Sequence, residues 1–251
     1  MPVDREQWQE KMDALPPWRC PFCSKGTLAP VAEKMVIEET GPSKSDHEHD
    51  AWEPEWIRAR FAGFMECNNG NCGDMVAVSG DSPVDVWMEQ DWDHHQQHVS
   101  HLYAVKSIYP APIPIKLPEA VPDNIKEAVS MASALMWASN EAAGNQLRQV
   151  VELFLTEMGI PVKSAKGNFL TPHSRIEEFQ KGDPENGEAL LAVKWLGNSS
   201  SHPGGLTRDD LLNGFDIIEF VLENKYGVAK AQLKALIAAI NAAKGPAKAA
   251  P

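Results

Sequence analysis

The sequence lacks any long hydrophobic run: no apolar segment approaches the roughly 18 residues that a membrane-spanning helix needs. The N-terminal segment MPVDREQWQEKMDAL is charged and has no apolar core of the kind that secretory signal peptides contain. We therefore expect a soluble, cytoplasmic protein that does not associate with membranes. A chain of 251 residues is long enough for one sizeable core and a small second module.

Basic residues are scarce in the first part of the chain. Residues 1–110 contain 19 Asp and Glu against 9 Lys and Arg, a net charge of −10, whereas residues 111–251 contain 16 against 14, a net charge of −2. Proteins that bind nucleic acid generally present a basic face, because contacts with phosphate dominate their affinity. Any contact with RNA or DNA must therefore come from a local cluster in the second part.

Cysteine is absent after residue 72. Four cysteines lie in two close pairs, CPFC (Cys20 and Cys23) and CNNGNC (Cys67 and Cys72), with 43 residues between the pairs. This pattern is typical of a tetrahedral zinc site in which the intervening chain returns as strands. Two disulfides or a redox CxxC are the alternatives; a cytosolic location disfavours the first, and no βαβ pattern supports the second. We predict a zinc ribbon whose Zn²⁺ is structural, because four thiolates leave no open coordination position.

The segments that flank the cysteines indicate strands. Partial period-two alternation is present in TLAPVAEKMVIEE, in IRARFAGFMEC and in DMVAVSG. Between the first two lies TGPSKSDHEHDAWEPEW, an acidic segment with Gly and Pro, which we interpret as a loop inserted into the ribbon.

A second group of possible metal ligands is a run of histidines. The segment DHHQQHVSHLY places His94, His98 and His101 at i, i+4 and i+7, which is one face of a helix. Two interpretations stay open: a second metal site, or an amphipathic surface helix that packs its other face on the protein. No HExxH motif accompanies the histidines.

The proline-rich segment SIYPAPIPIKLPEAVP ends the first module, and helical periodicity begins at Asp123. Helix N-caps are predicted at the threonines of TPHSR and LTRDD. We predict an α+β fold with four parts: a zinc-ribbon module with an acidic insert loop (1–110), a proline-rich linker (111–122), an all-α helical domain (123–226), and a C-terminal helix with a flexible tail (227–251).

The helical part resembles a known family. Its ordered segments LPEAVPDNIKEA, NQLRQVVELFL, RIEEF, VKWLGNSSSHPG and FVLENKYG are similar to the prokaryotic family catalogued as domain of unknown function 4145, over roughly residues 113–226. That family is regarded as HEPN-like, a class of four to five helices that is rich in ribonucleases of toxin, restriction and anti-phage defence systems. The resemblance implies a HEPN-like bundle, a homodimer, and RNA as ligand or substrate.

The resemblance also implies a site. Catalytic HEPN ribonucleases use an Arg, a polar residue and, a few positions later, a His, without a metal ion and in a dimer cleft. The matching positions here are Asn198 for the polar residue and His202 for the histidine, but Gly197 stands at the arginine position. His202 would move protons while the ribose 2′-hydroxyl attacks the phosphate. Lys194 or Arg148 would supply the missing positive charge.

The segment KWLGNSSSHPGG is equally typical of a plain helix end, at which His202 would cap carbonyl groups. Arg148 likewise has a simple alternative, a surface pair with Glu152 at i, i+4. Two functions therefore stay open. One is a metal-independent endoribonuclease centred on His202, and the other is a non-catalytic module that docks a protein partner or a small ligand. The missing arginine and the acidic ribbon favour the second function, whereas Asn198 and His202 favour the first.

Overall fold

The computed structural model describes residues 3–91, 94–199, 205–228, 232, 236–239 and 241. The chain divides into two compact units. The sheet unit contains residues 4–113 and 133–143, and the helical unit contains residues 1–3, 114–132 and 144–251. A strand-rich first part followed by a helical second part agrees with the predicted α+β class.

The sheet unit is built on six antiparallel strands that form a half-barrel. They are β1 (Leu28–Pro30), β2 (Val36–Glu39), β3 (Arg58–Cys67), β4 (Met75–Asp91), β5 (His94–His101) and β6 (Ala104–Tyr109).

Strands β3 and β4 form the centre of this sheet and pair from Arg58↔Pro83 to Glu66↔Met75. The other edge of β3 pairs with β2 and then with β1. The other edge of β4 is also divided between two partners, because β6 pairs with its first part and β5 with its second. Strand β4 therefore runs for 17 residues, far beyond the short segment that its sequence predicts.

The period-two alternation of apolar residues that predicts β3 also determines which of its side chains are buried in the core. Ala59, Phe61, Met65 and Cys67 are buried, and the residues between them are more exposed. Successive side chains of a strand point to opposite faces of the sheet, so this pattern buries one face. The strand predictions for β1, β2, β3 and the start of β4 are confirmed.

Three tryptophans form an aromatic cluster in the sheet unit. The ring centroids of Trp8, Trp18 and Trp137 lie 5.3 to 6.0 Å apart, and all three side chains are at most 4% exposed. Nε1 of Trp18 donates a hydrogen bond to the carbonyl of Gln7 over 2.7 Å. This packing explains why residues 133–143 belong to the sheet unit although they follow the start of the helical region.

The predicted helix over the histidine-rich segment is wrong. Residues His94–His101 form β5, which pairs with β4 from Val84↔His101 to Asp91↔His94. In a strand, residues i and i+4 share a face, but i+7 lies on the other face. His94, His98 and His101 therefore do not form the single stripe that a helix would give.

The acidic segment between β2 and β3 contains a short helix, α1 (Gly41–Asp46), rather than a loop alone. Oγ1 of Thr40 accepts a hydrogen bond from the backbone N–H of Ser43, which is the N-cap arrangement.

Five further helices follow: α2 (Asp123–Met136), α3 (Asn140–Glu157), α4 (Pro172–Gln180), α5 (Pro184–Ser199) and α6 (Arg208–Tyr226). The predicted threonine caps are confirmed. Thr171 accepts from the N–H of Ser174, and Thr207 forms a capping box with Asp210.

Among its described residues, the helical unit has an apolar core and one buried cation. Among its fully buried side chains are Leu147, Phe154, Leu155, Ile176, Leu190, Leu211 and Phe215. The guanidinium of Arg175, 2% exposed, donates to Thr156 Oγ1 and to the carbonyl of Ile160, and so ties α4 to the end of α3.

An ion pair joins the start of α5 to the end of α6. The carboxylate of Asp183 pairs with the ammonium of Lys225 and accepts hydrogen bonds from the side-chain amide of Asn186. Burial raises the pKa of Asp183, but the hydrogen bonds from Lys225 and Asn186 outweigh it, so the pKa lies below its usual value.

Within the described ranges, no helix is both long and apolar enough to cross a lipid bilayer. The C-terminal helix predicted within residues 227–251 lies mostly outside the described residues.

Candidate functional site

The four cysteines predicted to bind metal converge at one end of the sheet unit. Their Sγ atoms all lie within 4.8 Å of one another, with Cys20 3.9 Å from Cys72 and Cys23 3.7 Å from Cys67. A disulfide needs about 2.05 Å between sulfurs, so these are free thiols. A tetrahedral ion with Zn–S bonds of about 2.3 Å separates its sulfurs by about 3.8 Å. The four side chains therefore have the spacing of a tetrahedral metal site.

The first pair lies in a tight turn. The N–H of Cys20 donates to the carbonyl of Gly26 over 2.9 Å, and the N–H of Ser24 returns to the carbonyl of Cys20 over 3.0 Å. The N–H of Gly26 points at Sγ of Cys23 over 3.4 Å. Ser24 has a φ of 54°, a left-handed conformation that non-glycine residues seldom adopt. The turn therefore presents both sulfurs on the same side.

The second pair begins where β3 ends. The N–H of Cys67 donates to the carbonyl of Asp74, and the N–H of Cys72 donates to the carbonyl of Asn69 over 2.7 Å. Gly73 then has a φ of 61°, which glycine adopts without strain. Nδ2 of Asn69 lies 3.6 Å from Sγ of Cys23, so the second turn also contacts a sulfur of the first.

Thr27 and Asn68 join the two turns without any sulfur. The N–H of Asn68 donates to the carbonyl of Thr27, and the N–H of Thr27 donates to Oδ1 of Asn68 over 2.9 Å. Nδ2 of Asn68 also donates to Oγ1 of Thr27 over 2.9 Å. The pairing of β1 with β3 continues this connection, with Leu28 opposite Cys67.

Gly26 is a site residue that the cysteine spacing did not reveal. A Cβ atom at this position would lie 2.5 Å from Sγ of Cys67 and 2.8 Å from Cβ of Asn69. Real Cβ atoms do not approach other heavy atoms so closely, so only glycine leaves the sulfur in place. The signal in the sequence was weak, because a glycine shortly after a CxxC pair is common in any turn.

The thiols differ in acidity. The N–H of Gly26 is the main cause that lowers the pKa of Cys23 to about 6. The N–H of Asn69 lowers the pKa of Cys67, but burial and the three neighbouring thiols outweigh it and raise that pKa to about 12. Four thiols this close cannot all ionise beside one another without a positive charge among them. The donor set thus favours a soft or borderline cation that keeps thiolates ionised.

The histidines suggested as a second metal site have other contacts. The ring of His98 stacks on Trp87 with centroids 4.3 Å apart, and its Nε2 lies 2.9 Å from Glu89. Nδ1 of His101 lies 3.1 Å from Oγ of Ser82. The side chain of His94 lies outside the described residues. Among the side chains described, the cysteine cluster is the one group that has metal-ligand spacing.

The residues predicted to cleave RNA lie on two helices of the helical unit. Lys194, Gly197 and Asn198 are all on α5, which continues to Ser199, whereas Arg148 is on α3. His202 lies outside the described residues. Within the described residues α5 thus continues past Gly197, and Asn198 is a half-buried helical residue.

Arg148 packs directly on Gly197. A Cβ at position 197 would overlap Cγ and Cδ of Arg148, and it would lie 3.1 Å from the carbonyl oxygen of Gly144. Nε of Arg148 is buried and has no hydrogen-bond partner in the described part of the chain. No ion pair with Glu152 is found among the described residues. The arginine side chain therefore occupies the space that a side chain at position 197 would take.

Lys194 has a different neighbour. Its Nζ lies 3.4 Å from the ring centroid of Trp195, the next residue on α5, in a cation–π contact. The ring of Trp195 lies 6.0 Å from that of His173 on α4. The proximity of His173 to Trp195 could not be predicted from the sequence, because it depends on how α4 packs against α5.

A groove on the sheet unit gathers charges of both signs that are far apart in the sequence. Its lining includes four basic residues, Lys11, Arg58, Arg60 and Lys106, and four acidic residues, Glu38, Glu39, Glu55 and Asp81. The equal numbers give the groove no net charge, so it favours neither anionic nor cationic ligands.

Comparison with known families gives one match for each part of the chain. Residues 9–106 match the family model described as Domain of unknown function (DUF8608), which the sequence analysis did not predict. No curated protein and no solved structure matches the chain. Residues 130–243 match the model described as Domain of unknown function (DUF4145). The resemblance predicted over roughly residues 113–226 is therefore confirmed from residue 130 onward, whereas its first segment, LPEAVPDNIKEA, precedes the match.

Proposed function

We propose that this protein holds a structural zinc ion on Cys20, Cys23, Cys67 and Cys72, and that its helical unit recognises and cleaves RNA without a catalytic metal. The observation that supports the second part is the packing of Arg148 on Gly197. Cγ and Cδ of Arg148 lie beside position 197, where the family motif has its arginine.

The zinc proposal is supported by the sulfur spacing of 3.7 and 3.9 Å and by the backbone N–H groups that point at the sulfurs. Zinc with four thiolate ligands has no open position for water or substrate, so it stabilises the two turns and takes no part in a reaction. We name this part of the sheet unit a zinc ribbon on the same grounds.

The cleavage proposal assigns each residue one task. His202 transfers the proton of the attacking 2′-hydroxyl, a role that the family resemblance implies. The guanidinium of Arg148 neutralises the charge that develops on the phosphoryl oxygens. Asn198, on the same helix as Gly197, offers an amide that can hold the phosphate or the ribose by hydrogen bonds.

Arg148 suits this task better than Lys194. Its side chain packs on Gly197, at the position where the family motif has its cation. A guanidinium can also donate two parallel hydrogen bonds to phosphate, whereas an ammonium acts as a point charge. The ammonium of Lys194 is already placed over the ring of Trp195.

The rest of the proposal is carried by the family resemblance alone. It comprises a cytoplasmic homodimer in a prokaryotic defence or restriction system, with the two sites facing a common cleft.

The second candidate function is a non-catalytic module that docks a protein or a small ligand. The absence of a side chain at Gly197 and the acidic first part of the chain favour this function.

The test is cleavage of a mixed RNA pool in EDTA by the wild-type protein and by the variants His202→Ala, Arg148→Ala and Arg148→Lys. We expect products with 2′,3′-cyclic phosphate ends, no cleavage by His202→Ala, and a rate lower by about 10²–10³ for Arg148→Ala. Arg148→Lys keeps the positive charge but cannot donate two parallel hydrogen bonds. We therefore expect its cleavage rate to lie between those of Arg148→Ala and the wild type. Absence of cleavage by a folded wild-type protein would reject the enzyme in favour of the docking module.

Zinc is tested separately by elemental analysis. We expect one zinc ion per chain and its loss in Cys67→Ser, whose hydroxyl is a poor zinc ligand. Purified protein that contains no zinc and has disulfide-bonded cysteines would contradict the zinc site.

A further inference from the structure

Two stretches of the helical unit contain no acidic residue. Residues 158–176 and 189–208 have no Asp or Glu, although the chain as a whole has a net charge of −12. The same stretches contain Lys163, Lys166, Lys194 and Arg208, none of which is buried, whereas Arg175 lies in the core. A local cluster of this kind is what an acidic protein needs if it is to bind a polyanion.

Residues 161–170 of the first stretch form an exposed turn between α3 and α4. The N–H of Leu170 donates to the carbonyl of Val162, and Lys163 pairs with Phe169 in an isolated bridge. Gly167, with a φ of 83°, makes the reversal. The side chain of Phe169 is 75% exposed, and Nζ of Lys163 lies 4.6 Å from its ring centroid.

The second stretch presents a similar pair on α5. Trp195 is 55% exposed, and Nζ of Lys194 lies 3.4 Å from its ring. The ring of His173 lies 6.0 Å from the ring of Trp195, and its Nε2 lies 3.6 Å from the carboxylate of Glu177. We call Lys163, Phe169, His173, Lys194 and Trp195 the aromatic surface.

Each exposed ring of the aromatic surface has a lysine beside it. A nucleobase that stacks on such a ring places its phosphate within reach of the ammonium, which is how proteins commonly hold single strands. Paired bases in a duplex are already stacked on each other and cannot reach the rings. Neither stretch contributes a carboxylate, although that of Glu177 on α4 lies 3.6 Å from Nε2 of His173.

We propose that the aromatic surface binds single-stranded RNA, with unpaired bases stacked on Phe169 and Trp195 and phosphates near Lys163 and Lys194. This inference rests on the proposed function, since it names the class of RNA that the helical unit takes. It adds that substrates are unpaired and that the binding energy comes largely from rings outside the motif of Asn198 and His202.

The test measures binding of a fluorescein-labelled 20-nucleotide uridine strand by anisotropy, with His202→Ala as the background so that the strand stays intact. We expect Phe169→Ala and Trp195→Ala each to raise Kd about tenfold, the typical effect of losing one stacked base. Phe169→Tyr should keep the affinity and Phe169→Leu should not, because leucine is apolar but offers no ring. Tyr109→Ala, which removes a ring that is 76% exposed on the sheet unit, is the matched control and should bind as the background does.

The outcomes separate this inference from the proposed function. If the strand binds and the variants at Phe169 and Trp195 have the same Kd as the background, the proposed role of the aromatic surface is rejected. The proposed RNA cleavage by the wild type can still be observed in that case. If binding depends on the rings but the wild type does not cleave RNA, the proposed binding surface is supported and the proposed cleavage is rejected. If the strand does not bind, or a 20-base-pair RNA duplex binds more tightly, the surface is rejected.

Discussion

Gly26 offers a way to perturb the cysteine cluster without removing a ligand. In Gly26→Ala the new methyl group would lie 2.5 Å from Sγ of Cys67 and 2.8 Å from Cβ of Asn69. One of the two turns must therefore shift by about 1 Å to restore ordinary contact distances of about 3.5 Å. Overpacking of this kind costs about 1–3 kcal/mol, and here it falls on the geometry of the four sulfurs.

The expected consequence is a weaker metal site. A loss of about 1–3 kcal/mol corresponds to a zinc Kd that is roughly 5 to 150 times higher. The assay is competition for zinc against a chromogenic chelator of known affinity, together with the thermal midpoint of the zinc-loaded protein. The matched control is Gly70→Ala in the second turn, where a Cβ meets no heavy atom within 4 Å.

The reasoning would be refuted if Gly26→Ala held zinc as tightly as Gly70→Ala. That result would mean that the sulfurs do not need the observed spacing, or that the cluster does not bind the ion. Weaker zinc binding in both variants would instead point to a general effect of alanine on the backbone of these turns. The decisive quantity is therefore the ratio of the zinc Kd of Gly26→Ala to that of Gly70→Ala.

Two further predictions concern stability. The folded pKa of Asp183 lies below the unfolded value of about 3.9, so its contribution is present above that pH and is lost as the pH falls through the folded pKa. Asp183→Asn, which removes the ion pair with Lys225, should therefore lower the thermal midpoint at pH 6 and have a smaller effect at pH 3; an equal loss at both values would contradict the pair. Trp137→Ala should destabilise the sheet unit by about 3–5 kcal/mol, because it opens a cavity against Trp8 and Trp18. Near-ultraviolet circular dichroism through a urea titration measures this, and an unchanged midpoint would show that the cluster carries no stability.

Features set by neighbours in the chain could be predicted from the sequence. The cysteine spacing, the period-two pattern of β3 and the threonine caps at Thr171 and Thr207 each depend on a few consecutive residues. The threonine side chain needs only the N–H groups two or three positions ahead, so tertiary packing has little influence on it.

Features set by distant segments could not be predicted. The histidines of β5 have a spacing that also suits a helix, and only the pairing with β4 decides between the two. The contact of Arg148 with Gly197 and that of His173 with Trp195 both require the packing of separate helices. The length of β4 has the same origin, because it needs two partner strands in succession.

The hydrogen bonds between Thr27 and Asn68 reduce the entropic cost that ion binding would have to offset. Closing a loop of 43 residues between two ligand pairs is an entropic cost, and in small metal-dependent domains the ion itself must offset it. Here the sheet and the Thr27–Asn68 bonds close that loop with no sulfur involved. Ion binding then only has to draw together four sulfurs that are already neighbours. We therefore expect chelation of the proposed zinc ion to leave the sheet folded and the site ready to be refilled.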